Sequence, residues 1–291
     1  MKSKFLVPAT LAWLEESEKG REWLRELPWR VDACVDRWKL RLEAPYPQSS
    51  VSVVFPATLA DGSAAVLKVQ YPHNESDHEA EALRLWNGHG AVMLLGDAPE
   101  HYALLLERCR PGTHLARVGS EEALAVLTEL LPKLWIKAGK PFRTLQEEAE
   151  VWCKELLLNW ERAGRPFEIG LLEAAIDGME RLRNTQGEQA LVHQDLHGDN
   201  VLSAVREPWL VIDPKPLLGE REFSLAPIVR SYEFGHSRVA VVDRLNKLTA
   251  SLHLDRERVR LWTLGQTLAW GFEGSIAFAK HVETARWLWQ A

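Results

Sequence analysis

Apolar and polar positions fall into two regimes along this chain, strand-like in the first third and helix-like after it. Residues 8–41 read as largely helical, with Leu11, Trp13 and Leu14, then Trp23, Leu24 and Leu27, at helical spacing, and Gly20 and Pro28 as punctuation. Residues 51–59 and 64–69 are β-branched or apolar runs separated by Asp61-Gly62, which predicts a β-hairpin. Residues 75–87 predict a helix stopped by Gly88, with Ala82, Leu85 and Trp86 on one face. Residues 92–95 and 102–106 read as two further strands. Pro111-Gly112 then breaks the pattern, and helices follow. Ser120-Glu121-Glu122 opens one. Thr144-Leu145-Gln146-Glu147 is a capping box for another, whose stripe of Leu145, Ala149, Trp152, Leu156 and Trp160 predicts a core face. Strands first and helices after imply an α+β chain with two lobes. The expected division is 1–110, N-terminal helices plus a β-rich lobe, and 111–291, a mainly helical lobe, with 107–112 as the crossing segment.

The chain has 291 residues, 46% of them hydrophobic, enough for a substantial core. It lacks an uncharged apolar stretch of about 18 residues, so no membrane span is expected. The basic start Met1-Lys2-Ser3-Lys4 runs into an apolar segment broken by Glu15 and Glu16, unlike a secretory signal. Three cysteines, Cys34, Cys109 and Cys153, are odd in number and far apart. They argue against a disulfide framework and for a cytoplasmic location. A net charge of −6 disfavours nucleic-acid binding and permits a cationic small substrate. The thirteen tryptophans are expected mostly in core and interlobe gaps. Oligomeric state is not legible.

The chemistry is concentrated in His193-Gln194-Asp195-Leu196-His197-Gly198-Asp199-Asn200, followed after a strand-like run by Ile212-Asp213-Pro214. An acid, an amide five residues later and a strand-terminal acid are the parts phosphoryl transfer needs: one carboxylate to orient a hydroxyl, and hard oxygens for Mg²⁺. Each residue alone is common in turns; the joint order carries the signal. These residues resemble the HGDLHxxN…IDP pattern of the aminoglycoside phosphotransferases, a branch of the protein-kinase-like fold. The run Asp213-Pro214-Lys215-Pro216-Leu217, with Phe223-Ser224-Leu225-Ala226-Pro227, is similar to the streptomycin 6-kinase and hydroxyurea phosphotransferase subgroup. Gln194 departs from the glycine usual there.

The resemblance implies an α+β, two-lobed kinase-like fold and an ATP-dependent kinase of a small hydroxyl compound, most like streptomycin, with Mg²⁺ and ATP, GTP remaining open as donor. It implies Asp195 as catalytic residue, and Asn200 and Asp213 as metal ligands. Lys68, on the second hairpin strand, matches the lysine that neutralises nucleotide phosphates. Glu79 takes its pairing position, with Glu81 open, because residues two apart on a helix face about 200° apart. Ser49, Ser50 and Ser52 stand where a glycine-rich phosphate loop is usual, and the Glu107 carbonyl and Cys109 amide match the purine-reading hinge. Lys215 is expected to aid phosphate binding, and Asp199, His193 and His197 to support the loop. Trp262, Gln266, Trp270 and Glu273, at roughly helical intervals, read either as packing or as a pocket wall; as the latter, Gln266, Trp270 and Glu273 form the acceptor set. Two other classes compete: a non-catalytic pseudokinase, favoured by Gln194 and the missing glycines, and a zinc hydrolase using His193 and His197.

Overall fold

A computed structural model describes residues 5–74 and 77–291 of the chain. It divides into two compact units, Met1–Gly112 and Thr113–Ala291.

In the first unit a 3₁₀ helix, Ala9–Glu16, leads into α1 (Glu18–Trp38). The Ser17 hydroxyl caps α1 by accepting from the Gly20 amide at 3.0 Å. Pro28 lies inside α1 without ending it. Trp23, Leu27, Val31 and Cys34 bury one continuous face, and that packing outweighs a lost backbone bond. The strands are β1 (Arg41–Leu42), β2 (Ser52–Thr58), β3 (Ala64–Gln70), β4 (Leu94–Ala98) and β5 (Ala103–Glu107). They form one antiparallel sheet in the order β1-β2-β3-β5-β4. The β2–β3 turn is closed by Asp61, whose carboxylate accepts from the Ser63 amide, and by Gly62 at φ +87°, a backbone region glycine enters freely. Val53, Phe55, Leu67 and Val69 point from the sheet into a core shared with Leu27 and Val31 of α1.

Two expected elements shift. Glu75 and Ser76, the first positions of the expected helix, lie outside the described residues, as does the basic start 1–4. The helix α2 runs Glu79–Trp86. Its buried face is Ala82, Leu83 and Trp86, and Leu85 is 48% exposed. Leucine at both 83 and 85 left the choice of face to tertiary packing. β4 begins at Leu94, not 92, and its pairing with β5 slips between Leu94 and Gly96.

The second unit comprises α3 (Ser120–Leu134), α4 (Leu145–Arg162), α5 (Ile169–Arg183), β6 (Gln189–His193), β7 (Val201–Ser203), β8 (Trp209–Val211), β9 (Pro216–Glu220), α6 (Ala226–Arg230), α7 (Arg238–Leu252), α8 (Arg256–Ala269), β10 (Phe272–Glu273), β11 (Ile276–Ala277) and α9 (Ala279–Trp289). The Thr144–Glu147 capping box forms, and Leu145, Ala149, Trp152, Leu156 and Trp160 are all buried. The short pairs β6·β9 and β7·β8 carry the loops that hold Asp195, Asn200 and Asp213. Fully buried Glu220 accepts from Arg258 at 2.8 and 2.9 Å and from the Trp262 indole, which pins β9 to α8. Removing one partner of such a buried pair costs about 3–5 kcal/mol.

Only five of the thirteen tryptophans, at 23, 86, 152, 160 and 262, are buried, while Trp13, Trp29 and Trp289 are exposed. The expected core role holds for a minority. Among the described residues the three cysteines form no disulfide. Among the described residues no helix is long and apolar enough to cross a membrane.

Candidate active site

The loop between β6 and β7 is built around a buried histidine. His193 is 1% exposed. Its Nδ1 accepts the Asp195 amide at 3.1 Å and its Nε2–H donates to the Ile212 carbonyl at 3.2 Å. Burial pushes the imidazole down to about 4, against the pull of Asp195. A neutral ring is what this geometry needs, because one nitrogen accepts while the other donates. His193 thereby ties Asp195 to the residue before Asp213. The Asn200 side-chain Nδ2 donates to the Asp195 carbonyl at 2.9 Å, and the Ile212 amide donates to the Asn200 carbonyl at 2.9 Å. Gly198 is packed so closely that a Cβ there would sit 2.8 Å from the Ala116 nitrogen and from the Phe234 ring. Asp213 has φ 53°, in the left-handed region. Such a residue costs about 1–3 kcal/mol and is kept where its surroundings hold it.

The segment after α6 braces this loop from the other side. The Glu233 carboxylate accepts from the Gly198 amide at 2.8 Å and lies 3.5 Å from His197 Nδ1. Burial works to raise the Glu233 carboxyl, but bonds from His197, Ser231 and backbone amides hold it down at about 2. Burial likewise opposes charge on His197, yet Glu233, Asp195 and Asp199 together raise it above its ordinary value. Asp199 is exposed and pairs with His114 at 3.5 Å.

The Asp195 carboxylate sits between two cations. Lys215 Nζ is 3.1 Å from Oδ2, and Arg230 Nη2 is 3.4 Å from Oδ1. Both cations rest on the Trp270 ring, at 5.1 and 4.5 Å from its centroid. Gln194 is 1% exposed; its backbone N–H donates to the Lys215 carbonyl and its backbone carbonyl accepts from the Gln266 side chain at 2.9 Å.

The fit of Mg²⁺ follows from the donors. With its nitrogen committed to Asp195, the Asn200 amide keeps its oxygen for another partner, and Asp213 supplies carboxylate oxygen. Mg²⁺ takes one or two such hard ligands and completes its shell with water and phosphate. Neither nitrogen of His193 is left to bind a metal, since both bond to backbone. Among the described residues no group of three or more His, Cys, Asp or Glu has metal-holding geometry.

In the first unit Lys68 Nζ pairs with Glu79 at 2.7 Å, both side chains buried, and the Gln70 amide also donates to Glu79. Glu81 faces outward, 3.5 Å from Arg84 and 3.7 Å from His78. Of the three serines, Ser50 is exposed and Ser49 half-buried. Ser52 is 2% exposed, with its hydroxyl 2.6 Å from that of Ser49, so its side chain is withdrawn from the loop surface. The carbonyls of Ser49 and Ser50 accept from Thr10 and from the Trp13 indole. The Glu107 side chain accepts the Met93 amide at 3.0 Å, and Cys109 is half-buried just beyond β5.

The expected acceptor wall is corrected in three ways. Trp262 is core, bonded to Glu220. Gln266 is fully buried beneath the loop, where its side-chain N–H donates to the Gln194 backbone carbonyl. Helix α8 ends before Trp270, and exposed Glu273 lies on the β10–β11 hairpin rather than one turn further on a helix. Trp270 already carries two cations on its ring. Two residues escaped the sequence reading altogether, Arg230 and Glu233. The one signal for the first is a charged residue ending the apolar run from Leu225 to Val229.

A sheet-bearing unit with a buried Lys–Glu pair, and a helical unit with a hydrogen-bonded Asp–Asn loop and a strand-end Asp, define the protein-kinase-like class of small-molecule kinase. A choline kinase from Streptococcus pneumoniae has the same fold, with a TM-score of 0.63 at 12% identity over 90% of this chain and 98% of that one. The chain belongs to the aminoglycoside/hydroxyurea antibiotic resistance kinase family, whose profile matches residues 37–280. It is 37% identical over 269 residues to a streptomycin 6-kinase of Streptomyces griseus, covering 89% of this chain and 87% of that protein. It is 40% identical over 271 residues to a hydroxyurea phosphotransferase of Kitasatospora aureofaciens, covering 89% and 77%.

Proposed function

We propose that this kinase transfers the γ-phosphoryl group of ATP to a hydroxyl of streptomycin, inactivating the antibiotic in the cytoplasm. The observation that carries the reading is the Asp195–Asn200 loop, fixed by the Asn200 amide on the Asp195 carbonyl and by His193 on the strand before Asp213. That loop presents one carboxylate and one amide oxygen in fixed relation, the requirement for orienting a hydroxyl beside a metal-bound phosphate. Asp195 orients the acceptor hydroxyl and takes its proton. Asn200 and Asp213 are the ligands of Mg²⁺, which when bound neutralises phosphate charge. Lys68, held by Glu79, meets the α- and β-phosphates. Ser49 and Ser50 offer backbone amides to them, and the Glu107 carbonyl and Cys109 amide read the purine.

Glu273 is the proposed carboxylate for an acceptor guanidinium, by charge-assisted hydrogen bonding. Stacking of that guanidinium on Trp270 is disfavoured, because Lys215 and Arg230 already place two positive charges there. The same crowding favours a second reading, a neutral hydroxyurea-type acceptor, supported by the 40% identical relative. One experiment separates them: incubate the protein with Mg²⁺ and γ-labelled ATP against streptomycin, other aminoglycosides, hydroxyurea and polyols, and find the labelled product by mass. Labelled streptomycin supports the first reading. Label on hydroxyurea alone overturns it in favour of the second. ATP bound but no acceptor labelled points to a pseudokinase.

A further inference from the structure

Orienting Asp195 needs one partner, yet its carboxylate has two, a different cation on each oxygen. Lys215 follows Asp213 by two residues and Arg230 ends α6, so distant segments converge on one carboxylate. Their common support is the Trp270 ring, itself set edge-on against buried Trp152 at 6.4 Å. Arg230 and Lys215 keep side-chain exposures of 11% and 23%, beside 18% for Asp195. Two cations carried on one indole thus meet the carboxylate where the acceptor hydroxyl is to be held.

We infer that Arg230 and Lys215 form an anion clamp for the phosphoryl group in transfer, with Trp270 as the platform that aims both; the inference rests on the kinase reading above. In the resting enzyme Asp195 occupies the clamp. When the γ-phosphoryl group arrives, its three equatorial oxygens compete for the same donors. The guanidinium fork suits two oxygens at once, and the ammonium supplies a point charge. As the cations turn to phosphate, Asp195 is released to accept the hydroxyl. The hydroxyl oxygen then forms a bond to the γ-phosphorus, and the bond from that phosphorus to the β,γ-bridging oxygen breaks. The bonding pair leaves with ADP, and the hydroxyl proton passes to Asp195 and on to water.

The test compares Mg²⁺·ADP with Mg²⁺·ADP plus aluminium fluoride, which mimics the phosphoryl group in flight. Wild-type protein should bind the fluoroaluminate complex more tightly than ADP alone. Arg230→Gln should lose at least tenfold of that gain, leave ADP affinity within twofold, and lower kcat by roughly 10²-fold or more, since an arginine supplied to this kind of transition state is worth about 10³–10⁵. Arg230→Lys keeps a cation on Trp270 and should recover part of both losses; it also covers the case in which Arg230→Gln fails to fold. Added guanidine should partly restore turnover to Arg230→Ala. An undiminished fluoroaluminate gain in Arg230→Gln, with only acceptor KM raised, would make Arg230 a strut for Asp195 and overturn the clamp. Wild-type protein that binds no Mg²⁺·ADP would instead overturn the kinase reading, and the clamp with it.

Discussion

Acid should unlock the catalytic loop through His193, and the size of the effect can be worked out in advance. The imidazole is pushed from 6.5 to about 4 by burial. At about 1.36 kcal/mol for each tenfold change in proton affinity, that difference amounts to about 3 kcal/mol. The folded protein keeps the ring neutral, while the unfolded chain protonates it below 6.5, so the unfolded state binds the extra proton. The contribution is therefore whole above pH 6.5, declines as pH falls towards 4, and changes no further below that. Half-buried His281 is also lowered to about 4 and titrates across the same window, so the wild-type profile alone does not isolate His193. His193→Asn does. Its carbonyl oxygen reproduces the Nδ1 acceptor for the Asp195 amide, and it has no proton to gain. Urea unfolding of both proteins from pH 7.5 to pH 4 gives the measurement. The wild-type advantage should shrink by about 3 kcal/mol across that range. Profiles that stay parallel within about 1 kcal/mol, well below the shift worked out above, would refute the buried neutral histidine.

The remaining predictions concern individual roles. Asp195→Ala should lower turnover by about 10²-fold or more with ADP affinity unchanged, whereas Asp213→Ala should weaken Mg²⁺-nucleotide binding as well; isothermal titration and steady-state rates separate the two. Glu79→Gln leaves Lys68 buried beside a neutral group and should cost about 3–5 kcal/mol in chemical denaturation, while exposed Glu81→Gln should stay within about 0.5 kcal/mol. Neither polar atom of the buried Gln194 side chain has a hydrogen-bond partner among the described residues. Gln194→Met keeps the volume without the amide and should raise stability by about 1–3 kcal/mol; a lower melting temperature would contradict that account. Glu273→Gln should raise the KM for streptomycin several-fold and leave kcat and the KM for ATP alone, the signature of lost uniform binding.

Local rules carried the sequence reading as far as local rules reach. Asp61-Gly62 and the Thr144–Glu147 box act within four residues, and both form as their chemistry requires. Lys68 and Glu79 meet because one strand and the next helix fix their relation. The reading failed where two local solutions were equal and packing chose between them. Leu83 and Leu85 are both leucines, and only contact with the sheet says which is inside. Trp262, Gln266, Trp270 and Glu273 fit a helical period, but α8 stops at Ala269 and the chain turns into a hairpin through Gly271 and Gly274, the latter at φ +58°. A period of four residues persists in a sequence after the helix that would give it meaning has ended.

Arg230 and Glu233 were invisible for a different reason: their partners, Asp195 and Gly198, are 35 residues away in each case. No spacing rule links a residue after one short helix to the turn before another strand. Their presence changes how the acceptor is to be sought. The sequence suggested an indole and an acid side by side, ready for a guanidinium. In the folded chain the indole faces two cations of its own, so attraction of the ring for a third is opposed by repulsion at a similar distance. A cationic acceptor must then approach Asp195 with its charged groups turned outward, towards Glu273, and with a neutral hydroxyl foremost. An acceptor lacking cations meets no such restriction. The ratio of kcat/KM for streptomycin to that for hydroxyurea in Glu273→Gln therefore reads the geometry directly: it should fall several-fold if the guanidinium is held on the hairpin, and an unchanged ratio would place acceptor recognition elsewhere.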